Sequence, residues 1–204
     1  MRFTIVLPSL LENYPGAAKN RDGKLLRAIN SVVGQTFDDW ELLVIADGCQ
    51  RTMDIIQNNV GDEKVTAILI PRAKLWSGEP RNKGIAEAQG DYIVYLDNDD
   101  LFGPNHLQVI SDGIKDHDWV WFNDIRYDPH VKGWYENPCE ITKLGRHGTS
   151  NICHKTNLRV KWDRPGYAHD FYFVQQLRTF KNFVKIQGAE YYVCHIPGRN
   201  GVDI

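Results

Sequence analysis

Apolar and polar positions alternate between two periods in the first half of the chain. Short apolar, β-prone runs predict buried strands at residues 3–7, 40–46, 65–70 and 92–96. Between them, apolar residues spaced three and four apart predict helices at residues 24–33, 52–59, 79–89 and 104–115. In the third helix, Ile85, Ala86 and Ala88 are expected to face inward, and Gly90 to end it. This alternation predicts an α/β fold with a doubly wound, mainly parallel sheet.

The pattern changes after about residue 118, where the chain becomes aromatic and irregular. Strands are predicted at residues 119–122, with 124–127 as a candidate continuation, and at 150–154, 183–186 and 190–195. Residues 129–148 are rich in turns, and residues 169–180 have the period of an amphipathic helix. We expect residues 1–204 to share one core as a single domain.

Composition narrows the class of protein. The 204 residues are 42% hydrophobic and 25% charged, as in ordinary globular proteins. The net charge of −2 indicates no general nucleic-acid surface, and no apolar run approaches the roughly 20 residues of an integral membrane segment. The opening residues are too short for a signal peptide. Four widely spaced cysteines indicate reduced thiols in a cytoplasmic protein, while the oligomeric state stays open.

The fourth predicted strand runs directly into acidic residues. Asp97, Asp99 and Asp100 follow residues 92–96, at the strand end where open α/β sheets bind ligands. Two aspartates two positions apart can share Mg²⁺ or Mn²⁺, because hard cations prefer oxygen ligands. Such a cation would in turn hold a diphosphate. The alternative is a solvated acidic loop in which Asp100 caps the helix that begins near Pro104.

Five short motifs follow one another along the first 100 residues. They are Thr-Ile-Val-Leu-Pro-Ser at residues 4–9, Ser-Val-Val-Gly-Gln-Thr at 31–36, Leu-Val-Ile-Ala-Asp-Gly-Cys at 43–49, Pro-Arg-Asn-Lys-Gly-Ile at 80–85 and Asp-Asn-Asp-Asp at 97–100. With this order, the chain resembles the inverting family 2 glycosyltransferases, which have the GT-A fold. The resemblance covers about residues 3–110. It departs at Ala46, where the family has an aspartate, and at His169, where it usually has a glutamate.

The resemblance implies transfer of a sugar from a nucleotide sugar, with UDP or GDP, to a glycan or other hydroxyl acceptor. It places residues 1–117 in a nucleotide-sugar-binding half and residues 118–204 in an acceptor half. Mn²⁺ or Mg²⁺ would bind Asp99 directly, with Asp97 also near the ribose. His195 is a candidate third metal ligand, and its alternative is a purely structural histidine.

The same resemblance implies which residues contact the donor nucleotide. Asp47 would contact the base, although an aspartate before Gly48 is also a common turn residue. Arg81 and Lys83 would lie near the diphosphate, with solvated surface charge as the alternative. Arg199, in the chain's tail, is a weaker candidate to close over it. The remaining residues assigned to the nucleotide are Pro8, Ser9, Glu12 and Asn98.

Asp170 is the candidate catalytic base. A carboxylate can accept the acceptor's proton when its surroundings tune its pKa, and the alternative is an aspartate that caps the helix. The preceding segment, residues 162–167, is a candidate acceptor platform, and residues 148–150 a candidate floor of the site.

Other classes of protein fit less well. A nucleotidyltransferase would need a glycine-rich loop after the first strand, and residues 8–14 contain no glycine. A phosphatase with Asp-x-Asp carries it on the first strand, not the fourth. The two histidines His147 and His154 match no usual zinc spacing. A catalytically inactive glycan- or nucleotide-binding module of the same fold stays open.

Overall fold

The computed structural model describes residues 2–74, 77–166, 168–196 and 202–204. Short 3₁₀ turns occur at Thr149–Asn151 and Thr156–Leu158. The strands and helices follow one another as β1 (Phe3–Ser9), α1 (Arg21–Val33), β2 (Trp40–Asp47), α2 (Gln50–Asn59), β3 (Val65–Ile70), α3 (Gly78–Glu87), β4 (Tyr92–Tyr95), β5 (Leu101–Phe102), α4 (His106–Ile114), β6 (Trp119–Trp121), β7 (Asp124–Asp128), β8 (Gly133–Asn137), β9 (Ile152–Lys155), α5 (His169–Leu177), β10 (Phe183–Lys185) and β11 (Tyr191–Val193).

The central sheet has seven strands in the order β10-β6-β9-β4-β1-β2-β3. Strands β4, β1, β2 and β3 pair in parallel with one another, and β9 is antiparallel to both β4 and β6. Helices α1, α2 and α4 pack on one face, and α3 and α5 on the other. Along β1, Ile5 and Leu7 join the first core and Val6 joins the second, because successive side chains of a strand point to opposite faces. The predicted doubly wound, mainly parallel α/β fold is confirmed.

Helix α3 lies unusually close to β1. A Cβ atom on Gly84 would lie 2.3 Å from Val6 Cγ1, so only glycine allows this approach. The predicted inward face is confirmed for Ile85 and Ala88, which pack partly buried against the second core, and is wrong for Ala86, which is exposed. The fully buried positions are Gly78, Pro80, Arg81 and Gly84. The helix also ends at Glu87, before the expected Gly90. This register turns Arg81 inward, toward the carboxyl end of the sheet.

A second sheet of four strands has the order β5-β11-β7-β8. Strand β7 belongs to this sheet, so its prediction as a continuation of β6 is wrong. Between β6 and β7, the Phe122 N–H donates to the Asn151 carbonyl, which diverts the chain. Strand β8 lies in the segment predicted as turns, because its mostly exposed residues lack an apolar pattern. Strand β11 pairs with β5, and this pairing brings Tyr191 beside the acidic loop.

The cysteines and the helices bear on the other sequence predictions. Cys49, Cys139, Cys153 and Cys194 are buried free thiols, as predicted. Across the described ranges, the helices lack the length and apolar content needed to cross a bilayer.

Candidate active site

Three parallel strands end at one edge of the central sheet and bring the predicted nucleotide residues together. Ser9 ends β1, and its Oγ lies 3.0 Å from Thr52 Oγ1 and 3.4 Å from the Asn98 amide nitrogen that donates to it. Pro8 precedes Ser9 and pairs with Ile45 of β2. Strand β1 lies between β2 and β4, so the acidic loop after β4 and the end of β2 flank Ser9. This edge is the position at which open α/β sheets bind ligands.

Asp47 is buried at the end of β2, and its carboxylate is fully engaged. Arg72 Nη1 donates to Oδ2 at 2.8 Å, and the Ala73 N–H donates to Oδ1 at 2.5 Å. Gly48 has φ of +62°, and a Cβ there would lie 2.9 Å from Arg72 Cα. Asp47 therefore fastens the segment after β3 to the end of β2, and its contact with the base stays a prediction. Arg72, half-exposed at this edge, is a residue that the sequence reasoning missed.

The loop after β1 forms a polar cavity of about 360 Å³. Glu12 has an exposed side chain, and its carbonyl accepts a hydrogen bond from Arg21. The Arg21 guanidinium lies 4.7 Å from the centre of the Tyr14 ring. Burial, offset in part by the Arg21 charge, raises the pKa of Tyr14, and the nearby Asp99 and Asp97 charges add to the rise. The loop therefore lies close to the acidic residues.

Arg81 is the buried centre of the site. Its Nη2 donates to Asp97 Oδ1 at 2.8 Å, and its Nη1 donates to Ser77 Oγ. Its guanidinium lies 4.9 Å from the centre of the Trp162 ring, a cation–π distance. With 4% of its side chain exposed, Arg81 is not the solvated surface charge that was its alternative. Lys83 does match that alternative, since it pairs with Glu87 one turn along α3.

Trp162 forms a wall behind Arg81. Its ring stacks on Phe173 with a centroid distance of 3.8 Å, and its indole N–H donates to Tyr95 Oη at 3.3 Å. Its backbone exchanges two 2.8 Å hydrogen bonds with the Asn82 amide. At 2% exposure, Trp162 is a core residue, so its prediction as an acceptor platform is wrong. Tyr167, the end of that platform, lies outside the described residues.

Asp100 fastens the acidic loop to the second sheet. Tyr191 Oη donates to Asp100 Oδ2 at 2.7 Å, and the Cys194 N–H donates to Oδ1 at 2.7 Å. The same Tyr191 oxygen accepts the Asp97 N–H at 3.2 Å. Burial, together with the charges of Asp99 and Asp97, raises the pKa of Asp100 well above its ordinary value. The interpretation of Asp100 as a helix cap is therefore wrong, and Tyr191 is a second residue that the sequence reasoning missed.

Asp99 is partly buried beside another acid, Asp97. Burial raises its pKa, and the neighbouring charge of Asp97 raises it further, while His195 and Lys24 act in the opposite direction. The Asp99 carbonyl accepts a hydrogen bond from Arg27 Nη2 at 2.8 Å, which holds the loop over α1. Asp99 is therefore an acid whose ionised form needs a compensating positive charge.

His195 lies near Asp99 and links the chain's last described residues to the site. Its Nε2 donates to the Gly16 carbonyl at 2.8 Å. Its Nδ1 lies 3.3 Å from Asp203 Oδ1, within ion-pair distance, but it is buried and makes no hydrogen bond. Asp203 in turn pairs with Lys24. Within residues 2–74, 77–166, 168–196 and 202–204, no three His, Cys, Asp or Glu side chains form a metal-binding group. Arg199 lies outside these ranges.

Asp170 lies in the first turn of α5, and its carboxylate is held by two neighbours. Thr149 Oγ1 donates to Oδ1 at 2.6 Å, and His169 Nε2 lies 2.6 Å from the same oxygen. Burial alone would raise the pKa of Asp170, but hydrogen bonds from His169 and Thr149 and the Arg81 charge lower it below the ordinary value. Asp170 makes no cap, because the cap position is Ala168. Arg81 thus acts electrostatically on Asp170 while it binds Asp97.

The carboxyl edge of this doubly wound sheet carries the acidic loop, the buried Arg81 and the hydrogen-bonded carboxylate of Asp170. This is the architecture of a nucleotide-sugar transferase. The family profile described as glycosyl transferase family 2 matches residues 17–182. The chain therefore belongs to glycosyl transferase family 2, which confirms the resemblance and the predicted class of enzyme.

Relatives and solved structures agree with this assignment. The putative colanic acid biosynthesis glycosyl transferase WcaA of Escherichia coli is 33% identical over 130 residues, which cover 60% of this chain and 44% of that protein. The succinoglycan biosynthesis protein ExoW of Rhizobium meliloti is 30% identical over 109 residues, covering 52% of this chain and 32% of that protein. The chain thus spans less than half the length of these relatives.

The structural likeness extends over nearly the whole chain. The crystal structure of S. aureus TarS 1–349 has a TM-score of 0.73 at 17% identity, covering 95% of this chain and 60% of that one. Its complex with UDP-GlcNAc has a TM-score of 0.75 at 16% identity, covering 98% and 60%. The predicted GT-A fold is confirmed.

Proposed function

We propose that this chain transfers a sugar from a nucleoside-diphosphate sugar to a hydroxyl acceptor with inversion at the anomeric carbon. One observation carries the proposal: the buried Arg81 binds Asp97 of the acidic loop and also faces Asp170. It thereby links a group suited to the donor diphosphate with a group suited to the acceptor's proton. The relatives named for colanic acid and succinoglycan biosynthesis support a role in glycan biosynthesis.

The donor occupies the carboxyl edge of the central sheet in this proposal. Ser9 and Asn98 already lie within hydrogen-bond distance of each other, and Asp47 orders the adjacent loop. These residues, with Pro8 and Glu12, would line the nucleotide, and Arg81 would face the diphosphate. The TarS structures in complex with UDP and with UDP-GlcNAc support a UDP-linked donor, with GDP as the alternative. Residues 1–117 would bind the donor and residues 118–204 the acceptor.

The acidic residues fit a hard divalent cation. Burial and the neighbouring charge of Asp97 raise the pKa of Asp99, and His195 Nδ1 is a buried nitrogen without a hydrogen bond. We propose that Asp99 and Asp97, with His195, hold Mn²⁺ or Mg²⁺. An incomplete set of protein ligands suits these ions, which also bind phosphate oxygens and water. When bound, the cation would stabilise negative charge on the departing diphosphate.

Asp170 is proposed to remove the acceptor's proton. Its position in the first turn of α5 and its contact with Thr149 hold the carboxylate in a fixed orientation. Arg81 binds Asp97 of the acidic loop and acts electrostatically on Asp170. Inversion would require Asp170 to act on the face of the sugar opposite the leaving diphosphate. The acceptor would be a glycan or another hydroxyl compound. The four buried free thiols support a reducing, cytoplasmic location.

Calorimetric titration with UDP-GlcNAc, UDP and a GDP-sugar, with Mn²⁺ and with EDTA, tests this function. Release of UDP or GDP from the same donors is followed in parallel. We expect one nucleotide series to bind with Mn²⁺ and to be turned over slowly, with water as acceptor. Tight binding without any turnover, alone or with hydroxyl acceptors, would instead identify a binding module. Absence of nucleotide binding would refute the proposal.

A further inference from the structure

The contacts of His169 determine which of its ring nitrogens carries hydrogen. His169 Nδ1 lies 2.7 Å from the Gly166 carbonyl oxygen. A carbonyl oxygen only accepts hydrogen bonds, so Nδ1 must be protonated. In a neutral imidazole the other nitrogen, Nε2, then has a bare lone pair. That nitrogen is the one that faces Asp170 Oδ1 at 2.6 Å.

A bare nitrogen and an ionised carboxylate oxygen repel each other at this distance, because neither brings a hydrogen. One proton must therefore lie between Nε2 and Oδ1. Asp170 raises the pKa of His169, and His169 lowers the pKa of Asp170, so this proton belongs to the imidazole. Thr149 does not remove this requirement, because its single hydroxyl hydrogen is donated to the same Oδ1. The contacts thus describe a histidine–carboxylate pair that holds one dissociable proton.

We propose that His169 and Asp170 form a proton-holding pair, and that sugar transfer requires loss of the proton that His169 Nε2 and Asp170 Oδ1 share in this structure. The proposal rests on the proposed function, with Asp170 as the base. His169 acts through Asp170 and is a positioning residue. Family 2 glycosyltransferases usually have glutamate at the position of His169. The proton-holding pair is therefore expected of this chain and not of the family in general.

Asp170 accepts the acceptor's proton only after the pair has lost its own. After the shared proton has left to water, the acceptor's O–H bond breaks and its proton passes to Asp170, where His169 Nε2 again shares it. The acceptor oxygen forms a bond to the anomeric carbon. The bond between that carbon and the diphosphate oxygen breaks, and its electron pair leaves with the diphosphate. Loss of the proton from the pair to water completes the cycle.

The surrounding charges determine the pH range. Burial alone would lower the pKa of His169, but the hydrogen bond and the charge of Asp170 raise it above the ordinary value of 6.5. Arg81 is the charged group that faces the pair from α3, and its charge lowers the pKa of both members. The pair therefore loses its proton only at a pH above 6.5. Transfer should fall as the pH decreases through the raised pKa of the pair. A lone aspartate base would keep its activity to far lower pH.

The first test is a titration of ¹⁵N-histidine-labelled protein by NMR, with the His169 signals assigned from His169→Gln. We expect both His169 nitrogens to carry hydrogen at pH 6.5 and up to the raised pKa of the pair. Above that pKa, Nε2 should lose its hydrogen and Nδ1 should keep it. In Asp170→Asn, the His169 pKa should fall below 6.5, because burial then dominates. A neutral His169 across pH 5–7 in the parent, or no change in Asp170→Asn, would overturn the pair. This titration needs no turnover, so it is independent of the proposed function.

The second test is the pH profile of UDP release from UDP-GlcNAc with Mn²⁺. In His169→Gln the acidic limb should move down by about 2 pH units or more, from the histidine toward the carboxylate range. His169→Glu, which restores the family residue, should move the limb down by less, because a neighbouring carboxylate raises the pKa of Asp170. His117→Gln, at a surface histidine remote from the site, should leave the limb unchanged. If His169→Gln binds UDP normally and loses rate equally at every pH, the role of His169 is only structural and the proposal fails.

Discussion

Removal of one hydroxyl, in Tyr191→Phe, should release the acidic loop without disturbing the core around it. Tyr191 is fully buried, and its ring packs against Phe102 and His106, contacts that phenylalanine would keep. The hydroxyl makes a 2.7 Å bond to Asp100 and accepts the Asp97 N–H at 3.2 Å. The substitution therefore leaves a buried carboxylate oxygen and a backbone N–H without partners.

The cost follows from these two losses. An unsatisfied buried polar group costs about 1–3 kcal/mol, with charged groups at the upper end. The short bond to Asp100 belongs at that end, and the longer bond from the partly buried Asp97 N–H belongs at the lower end. We expect the free energy of unfolding to fall by about 2–4 kcal/mol. Because the loop carries Asp97 and Asp99, the affinity for UDP with Mn²⁺ should fall as well.

Urea unfolding curves measure the first effect, and calorimetric titration with UDP measures the second. The slope of the unfolding free energy against urea should stay the same, since both proteins bury the same surface. Tyr192→Phe is the matched control, because the Tyr192 ring packs on Trp134 instead of the acidic loop. A loss of stability below about 0.5 kcal/mol in Tyr191→Phe, the ordinary range for neutral surface changes, would refute the reasoning.

Three further substitutions test other parts of the structure. Asp99→Asn should reduce Mn²⁺-dependent turnover by about two orders of magnitude, the scale of losing a key electrostatic contact; full activity of the parent in EDTA would contradict this. Asp170→Asn should keep donor affinity and reduce kcat by about 10²–10⁴-fold, and transfer at the parent rate would mean that the base lies elsewhere. Gly84→Ala should cost about 1–3 kcal/mol on thermal unfolding, because its Cβ would overlap Val6. Gly61→Ala, with open space around the new methyl group, is its control and should be near neutral.

Much of the first half of the fold is determined by the sequence itself. Strand β3 has the predicted bounds, and β1, β2 and β4 agree within two residues, because a continuous apolar run requires burial wherever it occurs. The placing of Ser9, Asp47 and Asp97 at one edge follows equally, since each comes at the end of a parallel strand. These features depend on local periodicity and on the order of the motifs, which can be read directly along the chain.

The remaining features depend on residues that are distant in sequence. Arg81 could be surface or site from sequence alone, and it is buried because Trp162 packs against it, 81 positions away. The sequence allowed Asp100 to be a helix cap, but its carboxylate instead accepts a hydrogen bond from Tyr191, 91 positions away. Polar side chains carry no periodic signal, so their partners depend on how distant strands pair.

Asp170 shows the same division between features read from the sequence and features set by tertiary packing. Its place at the start of an amphipathic helix was predictable from periodicity, and so was its neighbour His169. The Gly166 carbonyl that accepts the hydrogen bond from His169 Nδ1, and the Thr149 hydroxyl that donates to Asp170, become visible only in three dimensions. Sequence therefore determined the elements and the edge at which the chemistry lies, whereas tertiary packing decided the hydrogen-bond partners and hence the charge states of the acids there.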